Sequence, residues 1–160
     1  FSLSWNDAVK IDWGTIILFG SGIALGGLLS STGLAETMGT SLSDLLGTDT
    51  LVGITILATV IAVLISETTS NTASVVVVAP IAAQLALAAD VNPAIPVLAA
   101  VFGASFGFML PVSTPPNAIV YGTGMVPITK MLRSGIVFDV IGIVIIVTGV
   151  TVMANLLGIG

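Results

Sequence analysis

No lysine or arginine occurs between Lys10 and Lys130, a gap of 119 residues. Apolar runs fill that gap almost without a break, and over the whole chain 56% of residues are hydrophobic and 7% charged. A soluble domain carries about 25% charged residues, so the solvent for this chain is lipid. In hydrocarbon a backbone must satisfy its own N–H and C=O groups, and helical runs do so within one segment. The expected fold class is an all-α polytopic membrane protein, multi-pass in a cell membrane with the lipid bilayer as its surroundings. The same gap excludes nucleic acid as a partner, because phosphate contacts need clustered basic side chains. The sequence has no Cys and no His, which removes disulfides, thiol chemistry, an imidazole base and His-ligated metal. No catalytic constellation and no organic cofactor motif remains, and the expectation is a protein that is not an enzyme. Phe1 is not an initiator and no signal peptide is visible. The chain reads as a piece of something longer, about half of a transporter-sized fold.

Residues 1–14 form a lead-in, expected on the cytoplasmic side. Residues 15–34 are long enough to span a hydrocarbon core, which takes about 20 residues. Gly22, Gly26 and Ser30 follow a small-xxx-small spacing that lets another helix approach closely. The "GSGIALGG" within this span also hints at a dinucleotide loop, but the third glycine is misplaced and no strand precedes it. Residues 35–49, "AETMGTSLSDLLGTD", place Leu34, Met38, Leu42, Leu45 and Leu46 at roughly helical spacing. They read as an amphipathic arm helix at the interface, with a polar loop as the plainer alternative.

The stretch "SETTSNTAS" at 66–74 sets seven hydroxyl or amide side chains and a carboxylate between two apolar runs. The flanking segments, 51–65 and 73–89, are about 22–26 Å long as helices, short for a full span. Residues 50–89 therefore read as a re-entrant hairpin with a Ser-Asn-Thr tip, and two full spans joined by an interfacial turn is the alternative. Residues 93–129 hold a broken transmembrane helix. Gly103 and Gly107 give it a second small-xxx-small pair, and "PVSTPPNA" interrupts it. Pro115 and Pro116 lack N–H groups, and Thr114 before a proline is pushed out of the helical region. Unwinding is expected near Ser113–Asn117, with the helix resuming at Ala118; a simple proline kink is the alternative. Residues 135–158 form the terminal span, with Asp139 near its start.

Lys10, Lys130 and Arg133 fall on one face of this arrangement, and the positive-inside rule makes that face cytoplasmic. The hairpin then enters from outside. Two interrupted helices so close in sequence point to a site near the bilayer midplane. Ser66, Thr68, Thr69, Ser70, Asn71 and Thr72 stand on one break, with Ser113, Thr114 and Asn117 on the other. Oxygen-only ligation suits a hard cation such as Na⁺. A helix N-terminus near Thr72 suits an anion. With no basic side chain nearby, an anion here needs a co-bound cation, which makes Na⁺-coupled anion symport the reading that meets every condition. Glu67 has two readings: a supporting acceptor that fixes the turn, or a proton or cation ligand.

At these residues a resemblance becomes specific. "SNT" at 70–72 followed by "TPPN" at 114–117 resembles the divalent anion/sodium symporter family, which carries di- and tricarboxylates. The likeness runs from "GTIILFGSGIALG" through "SETTSNTAS" and "FGFMLPVSTPPNAIVYGTG" to the last helix. It implies an inverted-repeat transporter whose two repeats each carry a Ser-Asn-Thr tip, with this chain matching the later part of the second repeat. It implies substrate carboxylates at Ser70, Asn71, Thr72, Thr114 and Pro115. It also implies Na⁺ held by the Ser66 hydroxyl, the Asn71 side chain and backbone carbonyls near Thr69 and Ser113. Ser66 stands where many relatives carry Thr, and the hydroxyl is retained. The implied partners are a small anionic carboxylate of the succinate, malate or citrate class, the missing first repeat of the parent protein, and a second copy in a homodimer. This chain would supply about half of the binding site. Rival readings are a passive anion exchanger, a channel-like pore, a ligand-free assembly subunit, and sulfate as the substrate.

Overall fold

In the computed structural model, residues 4–10, 13–34, 37, 41 and 50–159 are described. The arm helix expected over 35–49 lies outside the described residues apart from Thr37 and Ser41. Among the described residues seven helices follow one another: α1 (Trp5–Ala8), α2 (Trp13–Ser31), α3 (Leu51–Thr68), α4 (Asn71–Ala88), α5 (Ala94–Ala104), α6 (Pro115–Gly122) and α7 (Ile128–Leu157). No strand occurs among the described residues. Three of these helices, α3, α4 and α7, are long and apolar enough to cross a membrane.

Residues 105–114 are an irregular segment held between α3 and α7. Each helix starts or stops for a local reason. The Thr50 hydroxyl caps α3 by accepting from Gly53 N at 3.2 Å. Ser70 caps α4 in the same way, accepting from Ala73 N at 3.1 Å. Each such cap satisfies one N–H that a helix start leaves without a partner. Helix α7 closes on Gly158 in the left-handed conformation (φ 66°), which glycine adopts without a Cβ clash. The buried hydroxyls of Thr55 and Thr59 donate back to Leu51 O and Thr55 O at 2.6 and 2.7 Å, so α3 carries polar side chains through its core without an unmet hydrogen bond.

Small residues govern the packing. Helices α3, α4 and α5 meet over Ala58, Ala62, Val78, Ala82, Ala100 and Ala104, and the Ser74 hydroxyl ties α4 to the Ala62 carbonyl at 2.8 Å. A Cβ on Gly103 would lie 2.9 Å from the Thr59 carbonyl, so the expected close approach at Gly103 is present. On its other side α5 meets α7 through Ile95, Ala99, Ile146, Val150 and Ala154.

The polar hairpin stretch is far more helical than its composition implies. Helix α3 runs on through Ser66, Glu67 and Thr68, and only Thr69 and Ser70 separate it from α4. Both helices have 18 residues, about 27 Å each at 1.5 Å per residue. The second break also differs from expectation. Helix α5 stops at Ala104, residues 105–114 are irregular, and α6 begins at Pro115 rather than at Ala118. The prolines therefore start a helix instead of ending one. They occupy its first positions, where a missing N–H costs nothing, and Thr114 caps it by accepting from Asn117 N at 3.4 Å.

Candidate functional site

The hairpin tip and the irregular segment are joined side chain to backbone. Glu67 is 2% exposed. Its Oε1 accepts from Met109 N at 2.9 Å; its Oε2 accepts from Met109 N at 3.1 Å, Leu110 N at 3.0 Å and the Ser113 hydroxyl at 2.7 Å. The Ser113 hydroxyl also lies 2.8 Å from the Glu67 carbonyl. Carboxylate bonds to N–H donors are stronger than neutral ones. One side chain at the end of α3 thus collects the N–H groups that become free where α5 unwinds. This geometry matches the supporting role for Glu67.

Beside it, Ser66 has no exposed surface. Its hydroxyl is 2.8 Å from Asn71 Oδ1 and 2.6 Å from the Ala104 carbonyl. A serine hydroxyl has one proton, so it can donate to one of these oxygens at a time, and the other faces it without a hydrogen. Three oxygens from α3, α4 and the end of α5 converge around a deficit of positive charge. A small hard cation fits such a set, since it takes oxygen ligands only. The Ala104 carbonyl was not legible in the sequence; it is freed only because α5 stops there. Gly107 keeps this corner tight: a Cβ on it would meet Ser113 Cβ at 3.1 Å and Ser66 O at 3.4 Å.

The other residues of the expected cation set behave differently. The Thr69 hydroxyl turns back to donate to Ile65 O at 2.8 Å, and Ser113 spends its hydroxyl on Glu67. For these two, only backbone carbonyls remain as donors. Asn117, grouped in the sequence with the polar residues of the break, uses its amide to donate to Gly107 O at 2.8 Å and Leu110 O at 3.0 Å. It closes the irregular segment on itself.

For the expected anion set, Ser70, Thr72 and Pro115 are exposed, while Asn71 and Thr114 are half-buried. Ser70 and Thr114 each accept a capping N–H and keep a hydroxyl proton to donate. Asn71 offers its oxygen to Ser66 and has its Nδ2 hydrogens to give elsewhere. Ser70, Asn71 and Thr114 are therefore donors at a helix start, of α4 or of α6, where the helix dipole adds partial positive charge, and Pro115 has no hydrogen to give.

Residues 2–159 match the family model described as the sodium:sulfate symporter transmembrane region. The chain belongs to that family. A sodium-dependent dicarboxylate transporter of Staphylococcus saprophyticus is 41% identical over 145 residues, which is 91% of this chain and 28% of that protein. A sodium-dependent dicarboxylate transporter of Staphylococcus aureus strain USA300 is 39% identical over 158 residues, 98% of this chain and 30% of that protein. The divalent anion/sodium symporter resemblance read from "SNT" and "TPPN" is thereby shown, and the chain is membrane-embedded transporter sequence. It spans less than a third of the length of the curated relatives it matches.

Proposed function

We propose that the chain forms part of a carrier that moves a dicarboxylate across the membrane together with Na⁺, and that it supplies about half of the binding site. The observation that carries this reading is the Ser66 hydroxyl standing between Asn71 Oδ1 and the Ala104 carbonyl, three oxygens served by one proton. Na⁺ placed there would be held by Ser66, Asn71 and the Ala104 carbonyl, with the backbone carbonyls near Thr69 and Ser113 completing the set. The anion would take the remaining hydrogens: the Ser70 and Thr114 hydroxyls, Asn71 Nδ2 and the N–H of Thr72 in the first turn of α4, while Pro115, which has no N–H, would give contact only. Asn71 belongs to both sets, which is how occupancy by one ligand raises affinity for the other.

Neither break carries a lysine or arginine in its own sequence. Each helix end supplies about half a unit charge, too little for a dianion, and Na⁺ supplies the rest. The polar residues at the junction of α3 and α4 support a hairpin whose tip lies within the membrane and enters from outside, with Lys130 and Arg133 cytoplasmic. The family description favours sulfate as the second reading, since it is also a dianion that hydroxyl and N–H donors can hold. The relatives named for dicarboxylates favour the first.

Asn71→Asp in the intact carrier tests the assignment. The change keeps the shape and the cation-facing oxygen, but exchanges two N–H donors for a negative charge. Dicarboxylate binding is expected to fall at least tenfold while Na⁺ still binds, read by calorimetry with succinate, sulfate and Na⁺ in separate titrations. Unchanged succinate affinity would remove Asn71 from the anion site, and a loss confined to sulfate would favour the second reading.

A further inference from the structure

One buried ionisable group has no part in the site above. Asp139, in the middle of α7's packed face, is 4% exposed, and neither carboxyl oxygen has a hydrogen-bond partner among the described residues. Beside it lies a cavity of about 270 Å³ whose other walls, among them Val60, Val63, Leu64, Met109 and Ile136, are apolar, and the Asp139 oxygens show no surface to it. The ionisable group that faces Asp139 is the Glu67 carboxyl group, with the backbone at Phe108 as the other polar neighbour. Gly135, one turn before Asp139, holds α7 against the irregular segment. A Cβ there would fall 2.5 Å from Met109 N and Cα.

Two ionised carboxylates side by side and buried repel each other at high cost. Glu67 is supplied as an anion: Met109 N, Leu110 N and the Ser113 hydroxyl all donate to it. Asp139 has only the Phe108 backbone near it as a donor, against three for Glu67, and neither of its oxygens makes a hydrogen bond of normal geometry. As an acid its hydroxyl needs one acceptor, and Glu67 Oε1, which takes only the Met109 N–H, has a lone pair to give. We propose that Asp139 is a proton-binding site of the carrier, separate from the Na⁺ site, and that its proton bridges to Glu67 across the α3–α7 contact.

The proton has a mechanical consequence. It neutralises the charge next to the carboxylate that holds residues 105–114. Its release would place a second negative charge against that carboxylate and loosen the segment. The charges around Asp139 are few. Helix α3 brings Glu67; α5 and residues 105–114 bring none; α7 itself has Lys130 and Arg133 more than a helical turn before it. Proton release at alkaline pH should therefore weaken Na⁺ and substrate binding together. Only this consequence rests on the transport reading; the proton does not.

The test is infrared difference spectroscopy on the intact carrier in proteoliposomes, titrated with pH, for wild type and Asp139→Asn. Wild type is expected to show a protonated carboxylic-acid carbonyl band that shifts in heavy water, disappears at alkaline pH, and is lost in Asp139→Asn. Wild type with ¹³C-carboxyl aspartate should shift the same band, which keeps the test open if the variant does not fold. No such band at any pH, or a band that survives Asp139→Asn, overturns the proposal. Loss of one bound Na⁺ per carrier in Asp139→Asn would assign the position to Na⁺ and overturn it too. In uptake, the alkaline decline of wild type should flatten in Asp139→Asn; a parallel decline in both would cut the link to transport. If no uptake of any anion is found, the infrared result still stands or falls by itself.

Discussion

Glu67→Gln changes one oxygen to an amide at the point where the hairpin grips the irregular segment. The side chain keeps its length, so its remaining oxygen can stay where Oε2 is and retain Leu110 N and the Ser113 hydroxyl, now without charge assistance. The amide then takes the place of Oε1, 2.9 Å from Met109 N. That sets the amide N–H against the Met109 N–H in a buried place, so the amide lacks the acceptor while Met109 N keeps only its longer 3.1 Å bond to the remaining oxygen. An unsatisfied buried donor costs about 1–3 kcal/mol, and a coupling of that size corresponds to roughly 5–150-fold in affinity. The cost falls on the state with an ordered irregular segment, which is the state that presents the Ala104 carbonyl beside Ser66. Apparent Na⁺ affinity is therefore expected to drop by about 5–150-fold, although Glu67 touches none of the proposed cation oxygens. The assay is Na⁺ titration of the purified intact carrier by calorimetry, with the Na⁺ concentration for half-maximal uptake as a second reading. Wild-type Na⁺ affinity in a folded Glu67→Gln carrier would refute the claim that this carboxylate shapes the site.

Ser66→Ala should weaken Na⁺ binding directly and raise the substrate concentration needed at low Na⁺, with partial recovery at high Na⁺. Recovery of nothing, or no effect at either concentration, would take Ser66 out of the cation site. Gly135→Ala forces a Cβ to 2.5 Å from the Met109 backbone, and overpacking of this kind costs about 1–3 kcal/mol. Its thermal unfolding midpoint in detergent should fall clearly below that of Gly149→Ala, where nothing lies within 4 Å of the added carbon; equal midpoints would contradict the close α7 contact.

The helical class and the pairing of two polar interruptions could be read from the sequence because each depends on composition along a single run. Gly103 and Gly107 were readable as close approaches for the same reason. The extent of the interruptions was not. Ser66, Glu67 and Thr68 look like turn residues, yet they are helical, because Ser66 and Glu67 direct their side chains to residues 104–113 rather than to their own turn. Pro115 and Pro116 look like breakers, yet the break lies before them, where Glu67 and Asn117 take over N–H and C=O groups that α5 would otherwise have used. Partners some 40 residues away in sequence (Met109 and Leu110 for Glu67) leave no local pattern. Asp139 was visible only as an acidic residue near the start of an apolar span. That it faces Glu67 follows from α7 lying against the irregular segment, and small residues such as Gly135 allow that only in three dimensions.

The account turns on one coupling: Na⁺ at Ser66 and Asn71 supplies the charge that a dianion needs and orders the segment that receives it. The direct measurement is calorimetric titration of succinate into the intact carrier at a series of Na⁺ concentrations, and of Na⁺ at a series of succinate concentrations. Succinate affinity should rise as Na⁺ rises, and Na⁺ affinity should rise with succinate by the same factor, as linkage demands. Succinate affinity that stays flat from Na⁺-free buffer to saturation would contradict the coupled site and leave a carrier that moves its anion passively.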